Sequence, residues 1–211
     1  MKRAFLFLVT VGSVLSVHAQ QWAIGGAIGG GFTPQVGVTS AAGRAGTGLA
    51  NGLAATAAVG QNLNRHWSGE IRYTFRGGSL LASGPIGDVR FGARSHSVHY
   101  DILIHARPAG SAIRPFAAGG AGIRVFQGTG REAAYQPLQE YVLLTKTREW
   151  KPLINAGGGI KAALSPHVWL RLEVRDYFTP FPSKVIAPAT GATVKGWLHD
   201  IVPLCGISYA F

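Results

Sequence analysis

The chain has 211 residues, of which 47% are hydrophobic, only 14% are charged and 30 are glycine, and its formal net charge is +11 at pH 7. This length fits one domain, and a single cysteine excludes an internal disulfide. Because the cationic residues are not gathered into runs, the charge favours contact with anionic lipid head groups over nucleic acid, which we do not expect as a partner.

The first residues, MKRAFLFLVTVGSVLSVHAQ, have the pattern of a secretory signal peptide. Lys2 and Arg3 precede an uncharged apolar run, and small side chains stand at Val17 and Ala19. The run is shorter than the roughly 20 residues that a spanning helix needs. We therefore expect residues 1–19 to be cleaved and residues 20–211 to form one domain. Since no second long apolar run follows, a membrane-embedded domain would have to use strands.

Downstream of the cleavage site, apolar and polar side chains alternate with a period of two. In WSGEIRYTFR, Trp67, Ile71 and Phe75 share one face, whereas Glu70 and Arg72 share the other. Such alternation predicts a strand with one apolar and one polar side. In chain order, we predict eight strands at residues 21–33, 52–62, 67–77, 94–106, 114–127, 149–164, 168–179 and 197–211.

The glycine-rich strands follow the same rule with smaller side chains. WAIGGAIGGGF places Trp22, Ile24 and Ile28 on one face and only glycine and alanine on the other. Glycine normally weakens a strand, so these runs need a reason, and close approach of large side chains inside a small closed barrel supplies one.

The predicted connections alternate in length. They are short at NLNRH, RPAGSAI and SPH, and long at residues 34–51, 78–93, 128–148 and 180–196. An even number of strands with short turns at one end and long loops at the other is typical of a bacterial outer-membrane barrel.

A soluble lipocalin-like binder is the alternative for a barrel of this size, with its apolar face turned inward. Aromatic residues near the strand ends favour the membrane orientation, because aromatic girdles sit at bilayer interfaces. These residues are Trp22, Trp67, Tyr73, Phe75, Trp150, Phe178, Trp197 and Tyr209.

The last strand, WLHDIVPLCGISYAF, places Ile207, Tyr209 and Phe211 on one apolar face. Together with HWSGEIRYTFR, IRPFAAGGAGIRVF and LRLEVRDYF, it resembles the small eight-stranded outer-membrane barrels of the OmpA-type transmembrane domain and its outer membrane protein beta-barrel relatives. The resemblance implies an all-β fold in the bacterial outer membrane: an eight-stranded antiparallel up-and-down barrel with short periplasmic turns and long extracellular loops. It also implies that Gly206, Tyr209 and Phe211 form the signal read by the barrel assembly machinery.

An eight-stranded barrel is narrow enough to be filled by its own side chains. Charged residues on the polar faces are expected to pair with one another inside it, because an unpaired buried charge is costly. The predicted lumen network consists of Glu70, Arg72, Arg76, His99, Asp101, Lys161, Arg171, Glu173 and Arg175. We predict from it a monomeric, non-enzymatic barrel that contributes to envelope integrity or surface interaction.

An enzyme that modifies lipid A, a hydrolase or an acyltransferase, is the competing hypothesis. HWSGE offers His66, Ser68 and Glu70, and its His-x-Ser spacing resembles the outer-membrane lipid A deacylase. However, our topology puts His66 beside a short periplasmic turn, whereas that deacylase acts at the outer leaflet. His99 and His105 share a face but lie about 20 Å apart by strand rise. We therefore predict no catalytic residue, no metal site and no cofactor.

The long loops are the expected place for binding. The loop at 128–148 contains Tyr135, Tyr141 and an apolar run at 142–144, which would extend a hairpin above the membrane or meet a partner. Basic loop residues are expected to meet the phosphates of lipopolysaccharide: Arg44, Arg90, Arg131, Lys146, Arg148, Lys184 and Lys195.

Overall fold

The computed structural model describes residues 22–211, so the predicted signal peptide lies outside the described residues. In this range no helix is long and apolar enough to cross a membrane. The strands are β1 (Trp22–Gly31), β2 (Val36–Ser40), β3 (Gly43–Leu49), β4 (Gly52–Asn62), β5 (Trp67–Gly84), β6 (Gly87–His105), β7 (Ile113–Gly128), β8 (Val142–Leu144), β9 (Arg148–Ala163), β10 (Val168–Pro180), β11 (Ile186–Pro188), β12 (Thr193–Val194) and β13 (Trp197–Ala210).

Eight of these strands close into a ring in the order β1, β4, β5, β6, β7, β9, β10, β13, and every pair of neighbours is antiparallel. The ring closes where β1 and β13, the first and last strands of the described residues, pair with each other. There the amide of Trp22 donates to the carbonyl of Phe211 at 2.9 Å, and the amide of Phe211 donates to Trp22 at 2.8 Å. The predicted eight-stranded antiparallel barrel is confirmed.

The faces of the ring strands follow the alternation of the sequence. Ile28, Ile71 and Ile207 point outward and are 66%, 59% and 59% exposed, whereas Arg72 and Asp101 point inward and are buried. A soluble barrel would show the opposite polarity, because large apolar side chains gain nothing in water. The lipocalin-like alternative is therefore wrong.

Outward aromatic residues form two belts. Trp22, Trp67 and Tyr209 lie near the end with short turns, which we call the turn end. Tyr73, Trp150 and Trp197 lie towards the opposite end, the loop end. Belts at two levels match the two interfaces of a bilayer, where amphipathic rings are favoured.

The glycines of the inward faces make room for arginine side chains. A Cβ atom at Gly31 would lie against the guanidinium of Arg76, and one at Gly157 would meet the Cδ of Arg175. The small walls and the large side chains are thus complementary, as the alternation predicted.

The predicted long loop at 78–93 is wrong. β5 and β6 continue in register to Gly84 and Gly87 and are joined by a turn whose two central residues are Pro85 and Ile86. Gly87 adopts a φ of +110°, which glycine allows and side chains disfavour. The alternation simply continues beyond the charged residues, but the inward side chains become apolar, as at Leu80 and Phe91.

These extended strands and the long connections enclose a second, apolar core at the loop end, which we call the cap. The run at 142–144 does not form a hairpin of its own: it is β8, and it pairs with β11 of the 181–196 connection, while β12 of that connection pairs with β2. Tyr141 is buried, whereas Tyr135 and Leu143 are exposed. The cap consists of Val36, Val38, Leu49, Leu80, Ala82, Phe91, Ala93, Phe126, Leu138, Tyr141, Val142, Leu144, Val185, Ile186 and Leu198.

Candidate functional site: the charged lumen

Four charged side chains form a closed ring of ion pairs in the lumen. Arg72 and Glu70 project from β5, and Arg171 and Glu173 project from β10, the strand opposite β5 in the ring of eight. Arg72 contacts Glu70 and Glu173 at 2.6 Å each. Arg171 contacts Glu70 at 2.6 Å and Glu173 at 2.9 Å. Each carboxylate therefore bridges two guanidinium groups, and the contacts connect opposite walls of the barrel.

The ring continues towards β6 and β9 through Arg175. Its guanidinium contacts Glu173 at 3.1 Å and Asp101 at 3.2 Å, and it donates to the side-chain oxygen of Asn155 at 3.0 Å. Asp101 also pairs with the Nδ1 atom of His99 at 2.8 Å and accepts from the amide of Asn155 at 2.8 Å. All five side chains are buried.

Arg76 belongs to a separate cluster nearer the loop end. It contacts Asp200 of β13 at 3.3 Å, and Asp200 also contacts Arg124 of β7 at 2.6 Å. The hydroxyl of Thr33 donates to the same carboxylate at 3.1 Å. The guanidinium of Arg124 lies 4.9 Å from the ring centre of Phe126 in the cap. This cluster therefore connects the barrel wall to the cap.

Lys161, the remaining predicted member of the network, points into the lumen near the turn end. No carboxylate in residues 22–211 lies within ion-pair distance of its ammonium group, which sits 5.7 Å from the ring centre of Phe116. It lines a cavity of about 60 Å³.

Ser68 and His66 belong to one candidate enzyme motif in the sequence, but in the structure Ser68 contacts a different histidine. Its hydroxyl lies 3.0 Å from the Nε2 atom of His105 on β6 and donates to the side-chain oxygen of Asn62 at 2.8 Å. A hydroxyl has one proton, so Ser68 cannot donate to Asn62 and to His105 at the same time. The Nδ1 atom of His105 has no hydrogen-bond partner in the described chain, so no carboxylate orients the ring. His66 lies in the exposed turn, where its amide donates to Asn64.

The described residues offer no metal site, and the predicted assembly signal lies at the turn end. Within residues 22–211, no group of three or more His, Cys, Asp or Glu side chains is placed to hold a metal ion. Tyr209 and Phe211 point outward at the turn end, and Gly206 packs against the backbone of β1. Their role as an assembly signal stays a prediction.

Sequence reasoning missed Asp200, Arg124, Arg114 and Asn155, all of which are buried in the lumen. The signal that could have found Asp200 is the alternation of β13, which places it on the same face as Val202 and Leu204. Arg114, Arg124 and Asn155 lie on the inward faces of the glycine-rich strands β7 and β9 by the same rule.

Solved structures of outer membrane proteins share this fold. A major outer membrane protein from Thermus thermophilus superposes with a TM-score of 0.58 at 12% identity, covering 92% of this chain and 100% of that one. OprG from Pseudomonas aeruginosa gives 0.57 at 13%, covering 92% and 96%. Neisserial surface protein A gives 0.56 at 12%, covering 90% and 97%.

At these identities the similarity establishes the fold alone, and no curated protein shows significant sequence similarity to the chain. The sequence of residues 5–185, however, matches the family model of the outer membrane protein beta-barrel domain. The short turns are therefore periplasmic and the long loops extracellular. The chain belongs to the outer membrane protein beta-barrel domain family and resides in the bacterial outer membrane.

Proposed function

We propose that this protein is a monomeric, non-enzymatic barrel that supports the integrity of the outer membrane and is closed to solutes. The observation that carries the proposal is the ring of ion pairs between Arg72, Glu70, Arg171 and Glu173, which joins opposite walls of the lumen. A barrel of eight strands has an interior only just wide enough for side chains. A solute crossing at this level would have to separate several buried ion pairs.

Two further layers support closure. The cluster of Arg76, Arg124 and Asp200 lies above the ring of ion pairs, and the apolar cap lies above that cluster. The cap is packed from segments distant in sequence, such as β8 and β11. An apolar layer excludes hydrated ions, because ions lose their hydration on entering it.

The arrangement of Ser68 and His105 supports a non-enzymatic role. A serine nucleophile needs a base that is hydrogen-bonded to it and oriented by a third group. Here Ser68 donates to Asn62 rather than to His105, and the pair lies near the periplasmic turns. Lipid A, the substrate of the competing hypothesis, lies in the outer leaflet at the other end of the barrel.

Recordings from single barrels in planar bilayers test the closure. The wild-type protein is expected to give no conductance steps. The double variant Arg72→Ala/Arg171→Ala removes the side chains that span the lumen, so small steps should appear in the fraction that still folds. Arg44→Ala/Arg131→Ala removes the same charge from exposed loop positions and should stay silent. Steady conductance through the wild-type barrel would contradict the proposal.

We also propose that the outer surface binds the phosphates of lipopolysaccharide. Arg94, Gln127 and Arg148 are register partners on the neighbouring strands β6, β7 and β9, and Arg94 donates to the side chain of Gln127 at 3.2 Å. Arg94 and Arg148 are exposed and stand just above the outward Trp150. Two guanidinium groups at the head-group level match the charge and geometry of a phosphate.

The double variant Arg94→Gln/Arg148→Gln is expected to bind purified lipopolysaccharide about tenfold more weakly or worse, since each lost charge-assisted contact contributes on the order of 1 kcal/mol. Titration of the folded protein in micelles measures this affinity. Arg65→Gln/Arg107→Gln, at exposed positions of the periplasmic turns, serves as the control with the same loss of charge. Equal affinities for both variants and the wild type would refute this binding surface.

A further inference from the structure

A row of three cations lies inside the barrel near its periplasmic end. Arg114 on β7 is the register partner of Lys161 on β9, and Lys161 is the register partner of Arg171 on β10. All three line the lumen. Lys161 and Arg171 lie over the same aromatic ring, at 5.7 and 5.1 Å from the centre of Phe116. Like charges directly opposite each other on neighbouring strands repel, so negative charge is needed nearby to offset the repulsion among these three cations.

In the described chain only one of the three cations, Arg171, forms ion pairs with carboxylates. Arg171 pairs with Glu70 and Glu173, although its Nε atom is buried and has no hydrogen-bond partner in the described chain. Arg114 makes only long hydrogen bonds of 3.4 to 3.5 Å to two backbone carbonyls and an amide oxygen, all of them neutral. Lys161 has no carboxylate within ion-pair distance in residues 22–211.

The charge balance of this part of the lumen is positive. Five cationic side chains stand against three carboxylates, which leaves an excess of two positive charges with the histidines neutral. The cations are Arg72, Arg114, Lys161, Arg171 and Arg175, and the carboxylates are Glu70, Asp101 and Glu173. A buried excess of this size favours the uptake of an anion.

The same three cations surround a cavity. Its volume is about 60 Å³, on a scale where a single water occupies about 10–15 Å³. Ser68, Ser208 and the ion-paired Glu70 and Glu173 also line it, and Gly110 of a periplasmic turn and Ala210 of the rim place its mouth at the periplasmic end. The opposite wall consists of small residues such as Gly25 and Ala58. The cavity therefore has room and hydrogen-bond donors on the side that faces water.

We propose that this cavity is a binding site for one small tetrahedral oxyanion, of which free inorganic phosphate is the type. Lys161 is the principal ligand, because its charge is the least compensated, and Arg114 and Arg171 flank it. Phosphate carries one to two negative charges near neutral pH, which matches the excess of the lumen. The strands separate the cavity from lipid, so the anion enters from the periplasm as a free ion and not as a lipid head group.

The test uses the folded mature protein in alkyl maltoside micelles, which contain no phosphate. Phosphate should raise the urea concentration at the midpoint of unfolding relative to chloride at equal ionic strength, because a ligand that binds only the folded state stabilises it. Equilibrium dialysis with labelled phosphate should find one ion per barrel. In Lys161→Gln the affinity should fall about tenfold or more, the effect of losing one charge-assisted contact.

The change in resistance to urea that Lys161→Gln causes without phosphate shows whether Lys161 binds an anion or only stabilises the fold. Lys161→Gln removes one of three like charges, so without phosphate the variant should be at least as resistant to urea as the wild type, and with phosphate the order should reverse. Lys151→Gln is the matched control, because Lys151 lies on the inward face of the same strand but is paired with Glu149 at 2.8 Å. It should keep the wild-type response to phosphate.

The site would be overturned if phosphate stabilised the wild type no more than chloride does, or if Lys161→Gln responded to phosphate as the wild type does. It would also be overturned if micelles doped with an anionic phospholipid, without phosphate, stabilised the wild type and Lys161→Gln abolished that stabilisation. The last result would mean that a head group is the ligand. If Lys161→Gln does not give the heat-dependent gel shift of a folded barrel, Arg114→Gln takes its place, with the same expected loss of affinity.

Discussion

Replacing Glu173 with glutamine is expected to lower the free energy of unfolding by about 3–5 kcal/mol, the usual cost of removing one partner from a buried ion pair. Glu173 is the only carboxylate in the described chain that contacts Arg72, Arg171 and Arg175 together. Glutamine keeps the size of the side chain but removes its charge. Three guanidinium groups would then share only Glu70 and Asp101. Urea unfolding of the variant in micelles or vesicles measures the loss.

The control for this variant is Asp176→Asn on the same strand. Asp176 forms an ion pair with His199 at 3.3 Å, but both side chains are partly exposed outside the lumen. Pairs of this kind contribute within about 1 kcal/mol. A loss in Glu173→Gln no larger than that in Asp176→Asn would show that the ring of ion pairs does not stabilise the barrel.

Replacing Asp200 with asparagine is expected to loosen the cap as well as to destabilise the barrel, by about 3 kcal/mol or more. The carboxylate holds Arg76 and Arg124, and Arg124 stacks on Phe126 of the cap. Leu198, two residues before Asp200 on the same inward face, is itself part of the cap. Loss of the charge should therefore expose the loops that pack there.

Limited trypsin digestion reports this loosening, since Lys146, Lys184 and Lys195 lie in the loops around the cap. Asp200→Asn should be cut several-fold faster at these sites than the wild type. Asp88→Asn, an exposed carboxylate near the tip of the β5–β6 hairpin, should be cut at the wild-type rate. Unchanged loop cleavage in a destabilised Asp200→Asn would mean that the cap holds together without the cluster beneath it.

The change of polarity along β5 has a simple physical cause. Up to Arg76 the inward side chains are charged or polar, and from Leu80 onward they are apolar. In the lower part the outside of the barrel faces lipid, so polar groups are placed inside. In the upper part the outside faces water, and burying apolar side chains inside is favourable, as in a soluble protein. The long strands β5 and β6 thus contribute both to the charged lumen and to the apolar cap.

The sequence by itself determined the strands and their faces. All eight ring strands, the outward direction of Ile207, Tyr209 and Phe211, and the inward direction of Glu70 and Arg72 follow from the period of two, because successive side chains of a strand point to opposite sides. This rule is local, so it needs no knowledge of the ring. It also places Asp200 on the inward face of β13, although the motif-based list of charges left it out.

Only the tertiary structure decided which partners meet. Arg72 pairs with Glu173, 101 positions away, because the order of the ring puts β5 opposite β10. In the same way Ser68 meets His105 rather than His66, Arg76 joins Asp200 rather than the central ring, and β8 pairs with β11 from another loop. The direction of a side chain is fixed by its own backbone, whereas its partner is fixed by the closure of the barrel and the folding of the loops, which bring together residues that no short-range pattern connects.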